Sequence, residues 1–250
     1  MTGEQRDAPQ LWVRVGGGVQ ELATGMRHGP ADPDYPPLEG LWEGIWRDSR
    51  LVGWAPSGWG RGSVSRALAE GERIARERRA HLLRRLGHKL RSSVFALQEC
   101  ARQASHGRQE LLEEIYDQAQ DVGRLALVLE TVALDPQDPP RGVVIGAVLN
   151  LAAARARRAL PSVAVVRARE TVLVEALSRT YEWMGGPGST FTGELIGRWW
   201  RLEVLASPDR HPLAVPELGE PLVRHLVDVQ LEGWLDAQSP ERVVIYLPAI

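Results

Sequence analysis

Gly87-His88-Lys89-Leu90-Arg91-Ser92-Ser93-Val94 is the stretch whose reading decides the fold. It lies in a segment from Ser63 to Ser105 that contains no proline, and either Ser63 or Ser65 is suited to cap a helix there. Leu83, Leu86, Leu90, Val94 and Leu97 step by three and four along it, the spacing of one helix face. His106-Gly107 interrupts the pattern. A second helix is expected from about Gln109 to Leu134, with Leu112, Ile115, Ala119, Val122, Ala126, Leu129 and Val132 at the same spacing. Two such helices across a short turn form an antiparallel hairpin. One hairpin cannot cover its own apolar stripe, so pairing with a second copy into a four-helix bundle is expected. His88 on such a helix is a core residue, a solvated side chain or a phosphate acceptor.

The flanking regions differ in kind. Residues 1–62 read as a small β-rich module that carries five of the nine tryptophans. Leu11 to Val15, Gly16-Gly17-Gly18 and Val19 to Leu22 read as a hairpin. Trp42 to Trp46 and Leu51 to Trp54 read as two more strands around a turn at Asp48-Ser49. Aromatic filling of a thin core is the simplest use of these indoles, and a vestigial sensor with a ligand pocket is the alternative. Asp135-Pro136-Gln137-Asp138-Pro139-Pro140 separates the hairpin, 63–134, from a third region, 141–250, because proline stops a helix. There the pattern suggests helices at 143–160, Thr171–Met184 and Glu217–Val229. Strands are expected at Val163–Val166, Arg198–Leu205 and Val243–Leu247. The fold class is α+β: a helical hairpin, then an α/β sandwich of one mixed sheet with helices on one face.

Composition narrows the function classes. With 44% hydrophobic and 25% charged residues the chain is that of an ordinary globular protein, and a net charge of −2 gives no global attraction to nucleic acid or anionic lipid. The basic block over residues 72–91 reads first as a solvated helix face. Arg76, Arg78, Arg79, Arg84 and Arg85 leave nucleic-acid binding as an alternative. A single cysteine, Cys100, excludes an internal disulfide and fits a reducing compartment. The N-terminal residues have no apolar signal core, and no apolar run approaches the ~20 residues that span a bilayer. A cytoplasmic location is therefore expected. His81, His106, His211 and His225 show no metal-ligand spacing among themselves or with Cys100, so no intrinsic metal or cofactor is expected.

In order of parts, the chain from about Ser63 onward resembles the bacterial sensor histidine kinases. Gly87 to Val94 matches their histidine box at His88, Leu90 and Arg91, with Ser92 and Val94 as conservative replacements. Val144 to Leu151 resembles the opening helix of their ATP-binding domain. Leu218 to Val227 resembles the helix after its second glycine box, and Val243 to Pro248 its closing strand. The resemblance implies a homodimer, His88 as phosphoacceptor and a response-regulator receiver domain as partner. It also implies Ser92 as a candidate for placing a water, and Lys89, Arg91, Arg84 and Arg85 as the docking face.

The same resemblance implies a departure. Its helix with two metal- and phosphate-holding asparagines aligns with Ala176–Trp183, where Arg179 and Trp183 stand instead. Neither side chain offers the oxygen that Mg²⁺ requires. Ser207 to Pro212 replaces the adenine-reading glycine box, and the lid is reduced to Leu213–Glu217. Gly185-Gly186-Pro187-Gly188-Ser189 lacks a Lys-Ser/Thr ending and reads as a turn. The expectation is a chain that does not use ATP and relays phosphate with Mg²⁺ supplied by the regulator. A non-catalytic dimeric adaptor is the alternative. Lys89 stands where an acid is usual and offers only donors, and Ser93 replaces the box proline, leaving the helix straighter.

Overall fold

In the computed structural model the described residues are 12–15, 17–21, 27–29, 42–47, 50–56, 61–105, 111–133, 139–161, 163–210, 213 and 216–250. The turn at Asp48-Ser49, the break at His106-Gly107, most of the proline linker, and His211 lie outside them. Among the described residues no helix is long and apolar enough to cross a membrane.

Strands β1 (Trp12–Val15), β2 (Gly18–Glu21), β3 (Arg27–His28), β4 (Trp42–Arg47) and β5 (Arg50–Pro56) form one antiparallel sheet in the order β3-β2-β1-β5-β4. Trp12 is paired with Trp54 across β1 and β5, and both are buried with Val19 and Ile45. The tryptophans thus supply area that so thin a sheet cannot gather from aliphatic residues.

Helix α1 (Arg61–Ser105) is 45 residues long and α2 (Leu112–Ala133) 22 residues. Leu82, Leu86 and the small Ser93 are buried on α1, and Leu125, Val128 and Val132 on α2. The seam differs by one position from the expected stripe. Ala119 and Ala126 are exposed, and Leu112 is 59% exposed. The expected stripe therefore straddles the rim of the hairpin. Arg79 closes the C-terminal end of α2, donating from Nε to the Val132 carbonyl at 3.0 Å and from Nη2 to that of Ala133 at 2.7 Å. Those carbonyls have no partner within the helix, and a cation there also suits its dipole.

The remainder is a sandwich. In chain order it comprises β6 (Arg141–Val144), α3 (Ile145–Ala152), β7 (Arg157–Ala159), β8 (Val165–Ala168), α4 (Glu170–Trp183), β9 (Thr190–Ile196), β10 (Trp199–Leu205), a 3-10 turn (Pro216–Leu218), α5 (Glu220–Arg224), a π-helical turn (His225–Gln230), β11 (Trp234–Ser239) and β12 (Arg242–Pro248). The main sheet runs β11-β12-β10-β9-β7, with β7 parallel to β9 and the other pairs antiparallel. β6 pairs with β8 in a two-stranded sheet, and Val166 bridges to Ala249. Along β10, Trp200, Leu202 and Val204 face the core. Arg201 and Glu203 lie on the other face, where Glu203 accepts from Arg242 at 2.6 Å and from Arg201 at 3.0 Å. Val172, Leu173, Ala176, Leu177 and Thr180 bury one side of α4.

Three expectations are corrected here. The helix expected over 143–160 is a strand, a short helix and a strand. Val143 pairs with Val166, and Arg157 donates to the Ser189 carbonyl at 3.0 Å, so sheet pairing outweighs helix propensity at both ends. The helix expected over Glu217–Val229 is divided into a 3-10 turn, α5 and the π-helical turn. The strand expected at Val163–Val166 is shifted to Val165–Ala168. Strands β9 and β11 were not foreseen. Gly193 interrupts the β9 pattern because Leu160 packs where a side chain would stand: a Cβ there would lie 2.3 Å from Leu160 Cδ2. The glycine-rich turn after α4 is as expected, with Gly185 and Gly188 both at φ +94°.

The hairpin and the sandwich share one apolar cluster. Leu82, Leu86, Leu125, Val128 and Val132 belong to it together with Leu173, Leu222, Leu226 and Ile245.

Candidate functional site

The face of α1 around His88 is turned from the seam. His88 is exposed and follows the fully buried Leu86 by two residues, about 200° around the helix. Arg84, Arg85, Arg91 and Ser92 are exposed on the same side, at the three- and four-residue spacings that make helical neighbours. Lys89 is half-buried and stands toward the seam. The structure thus brings five of the six candidate residues onto one face and sets Lys89 apart.

Ser92 bears directly on the imidazole. Its hydroxyl donates to the His88 carbonyl at 3.1 Å, and its Oγ lies 3.4 Å from His88 Nδ1. With the hydroxyl proton committed to the carbonyl, Oγ has a lone pair for Nδ1–H. With the proton on Nδ1 the Nε2 lone pair is free, the state a nucleophilic imidazole needs.

The sandwich holds its charged groups differently. Arg179 is 5% exposed. Its Nε donates to Glu175 at 2.8 Å and its Nη1 to Glu182 at 2.7 Å. Burial opposes the guanidinium's charge, but the two carboxylates outweigh it and hold its pKa above the usual value. The i−4 and i+3 spacings of these partners were legible in the sequence but were not connected to Arg179. Trp183, one turn on, lines a cavity of about 590 Å³ with Arg210, Leu213, Pro216, Glu220 and, from α1, Arg85. Arg210 is tied across it by a hydrogen bond to the Pro240 carbonyl. Arg179 and Trp183 are thus a clamped guanidinium and an indole, and neither side chain offers an oxygen to a divalent cation. Among the described residues no group of three or more His, Cys, Asp or Glu is arranged to hold a metal.

Two further residues, Arg79 and His225, link hairpin and sandwich. His225, at the start of the π-helical turn, is buried, and its Nε2 has no hydrogen-bond partner. Burial, and then the nearby charge of Arg79, push its pKa down to about 4. Arg79 of α1 thus faces the sandwich through His225 while capping α2.

A hairpin with an exposed histidine, followed by this mixed sandwich, can be set beside solved structures. The crystal structure of the histidine kinase ThkA in complex with the response regulator protein TrrA matches with TM-score 0.53 at 14% identity, over 97% of this chain and 79% of that one. The fold is histidine-kinase-like. The Acinetobacter baumannii histidine kinase AdeS gives TM-score 0.48 at 18% identity, over 64% of this chain and 97% of that one. A histidine kinase from Burkholderia phymatum gives 0.28 at 17% identity, over 71% and 97%. No family model and no curated protein matches the chain. Within the histidine-kinase-like fold, His88 lies on the hairpin and Arg179 and Trp183 on a sandwich helix. Arg85 is the candidate docking residue that reaches the sandwich cavity.

Proposed function

We propose that this is a two-component signalling protein that relays phosphate through His88 to or from a response-regulator receiver domain, without drawing it from ATP. The observation that carries the reading is the exposed His88 ring, with Ser92 against Nδ1 at 3.4 Å. In the transfer step Nε2 attacks the phosphorus of the regulator's aspartyl phosphate. An N–P bond forms, the P–O bond to the aspartate breaks, and the carboxylate leaves with the electron pair. The Nδ1 proton stays on the ring, shared with Ser92. The regulator supplies Mg²⁺ and a lysine to neutralise the moving charge. Arg84, Arg85 and Arg91 form the docking face, and Lys89 borders it. A partner of this kind fits a cytoplasmic location.

Support for the partner comes from the fold neighbour ThkA, whose structure is a complex with a response regulator. Support for a homodimer comes from the hairpin itself. Leu112, Tyr116 and Leu127 on α2 and Phe95 on α1 are each more than half exposed, area that a four-helix bundle of two hairpins would cover. Domain limits of 1–62, 63–134 and 141–250 belong to the same reading.

The test is incubation with a phosphorylated receiver domain. An acid-labile, base-stable label on the wild type and none on His88→Ala is expected; a label that persists in His88→Ala sinks the proposal. Light scattering should give twice 27.7 kDa, and calorimetry with MgATP should give no heat of binding. The same exposed apolar and basic face favours one other reading, a non-catalytic adaptor. It predicts no label, with partner binding that survives His88→Ala and fails in Arg91→Glu.

A further inference from the structure

The cavity of about 590 Å³ beside Trp183 has a volume that suits a small organic molecule. Two of its walls are fixed in place. The Trp183 indole is backed by Gly219, where a Cβ would lie 3.0 Å from Cδ1 of the ring. Arg210, half-buried, is held along its length. Its amide donates to the Ser207 carbonyl at 3.1 Å, and a Cβ on Gly185 would lie 3.0 Å from its own Cβ. Its Nη1 donates to the Pro240 carbonyl. That acceptor is neutral, and among the described residues no carboxylate pairs with Arg210. Arg179, Arg201, Arg224 and Arg242 of the sandwich, by contrast, each hold a carboxylate. The acid on the cavity lining, Glu220, is already taken at 2.7 Å by Arg224, which lies off the lining. Arg85 adds a second positive charge from α1.

We infer that this cavity binds a small aromatic carboxylate, with its acid group on Arg210 and its ring against Trp183. A guanidinium edge matches a carboxylate with two parallel N–H···O bonds, the strongest pairing open to it. Such a pair gains further where water is partly excluded, as it is beside Leu213 and Pro221. A flat ring gives the indole and the prolines a face to cover. The balance of charge sets the class of ligand. Two guanidiniums and a carboxylate on one lining suit a single negative charge and not a chain of phosphates. This inference is independent of whether His88 accepts phosphate.

Titration calorimetry of the full chain with naphthoate and indoleacetate tests it, with naphthamide and adenosine monophosphate as the opposing probes. At least one carboxylate should bind one site per chain with a Kd of about 1 mM or tighter, the affinity expected of a ligand with so few atoms. Naphthamide, the same ring without the charge, should bind about tenfold more weakly, and Arg210→Gln should cost naphthoate about the same factor. If Arg210→Gln does not fold, the comparison of acid with amide on the wild type carries the test by itself. The site is overturned if neither carboxylate gives saturable heat, or if naphthoate and naphthamide bind equally. Tighter binding of adenosine monophosphate than of either carboxylate also overturns it, as does unchanged naphthoate affinity in folded Arg210→Gln.

Discussion

His88 and Arg179 are both nitrogen-rich side chains on helices, and the molecule treats them in opposite ways. His88 projects from α1 into solvent with one serine against its ring. Arg179 is inside the sandwich with its Nε on Glu175 and its Nη1 on Glu182. An exposed ring with a free lone pair can meet a partner's reacting group. A buried guanidinium held by two carboxylates of its own helix stabilises that helix. The comparison teaches that chemistry has its best opportunity on the hairpin, whereas the sandwich helix is organised as structure.

The largest expected effect separates the two directly. His88→Ala should remove all phosphate label while leaving the melting temperature unchanged, because an exposed helical residue contributes little to stability. A label that needed the sandwich cleft instead would reverse the comparison. Next comes acid titration, which reads the buried histidine of the sandwich. In the folded protein the His225 ring stays neutral down to about 4, whereas in the unfolded chain it takes a proton near its ordinary 6.5. Between those values the unfolded state binds more protons, so its contribution to stability is complete above pH 6.5 and is lost as the pH falls toward 4. The loss is about 3 kcal/mol. Urea unfolding from pH 7 to pH 4 should show this slope, and His225→Gln should flatten it. A slope that survives in His225→Gln would break the assignment to the buried ring.

Arg179→Met should lower stability by about 2 kcal/mol, since it leaves Glu175 without its partner at low exposure. The effect is below that of a fully buried pair because the Glu182 side chain is 42% exposed and solvent screens it. Thermal unfolding measures this, and labelling of His88 should be unaffected. The smallest effect is expected for Ser92→Ala. A 3.4 Å contact holds the tautomer only weakly, so transfer should slow by about twofold with no change in melting temperature. A much larger loss would mean that Ser92 takes part in the reaction itself.

Much of this was legible beforehand. The three–four spacing around Leu86 and Val132 announced the hairpin, because helix periodicity is a local property. The strands β1, β2, β4, β5, β10 and β12 were visible for the same reason. Less visible was β7, whose Arg157-Arg158-Ala159 has no strand pattern and becomes one by pairing with β9. Hidden, too, were the Arg79–His225 junction and the contacts of Gly17 with Trp199 and of Gly29 with Trp234, which join residues far apart in the chain.

By itself the sequence determined the helical hairpin, the place of His88 on it, the position of the sandwich after the prolines, and the presence of Arg179 and Trp183 on α4. These follow from spacing, proline chemistry and side-chain type, all of which act over a few residues. Only the tertiary structure decided that His88 faces away from the seam, that Glu175 and Glu182 clamp Arg179, and that the N-terminal sheet rests on Trp199 and Trp234. Those outcomes depend on which surfaces exclude water together, and that is settled by packing between elements far apart in the chain.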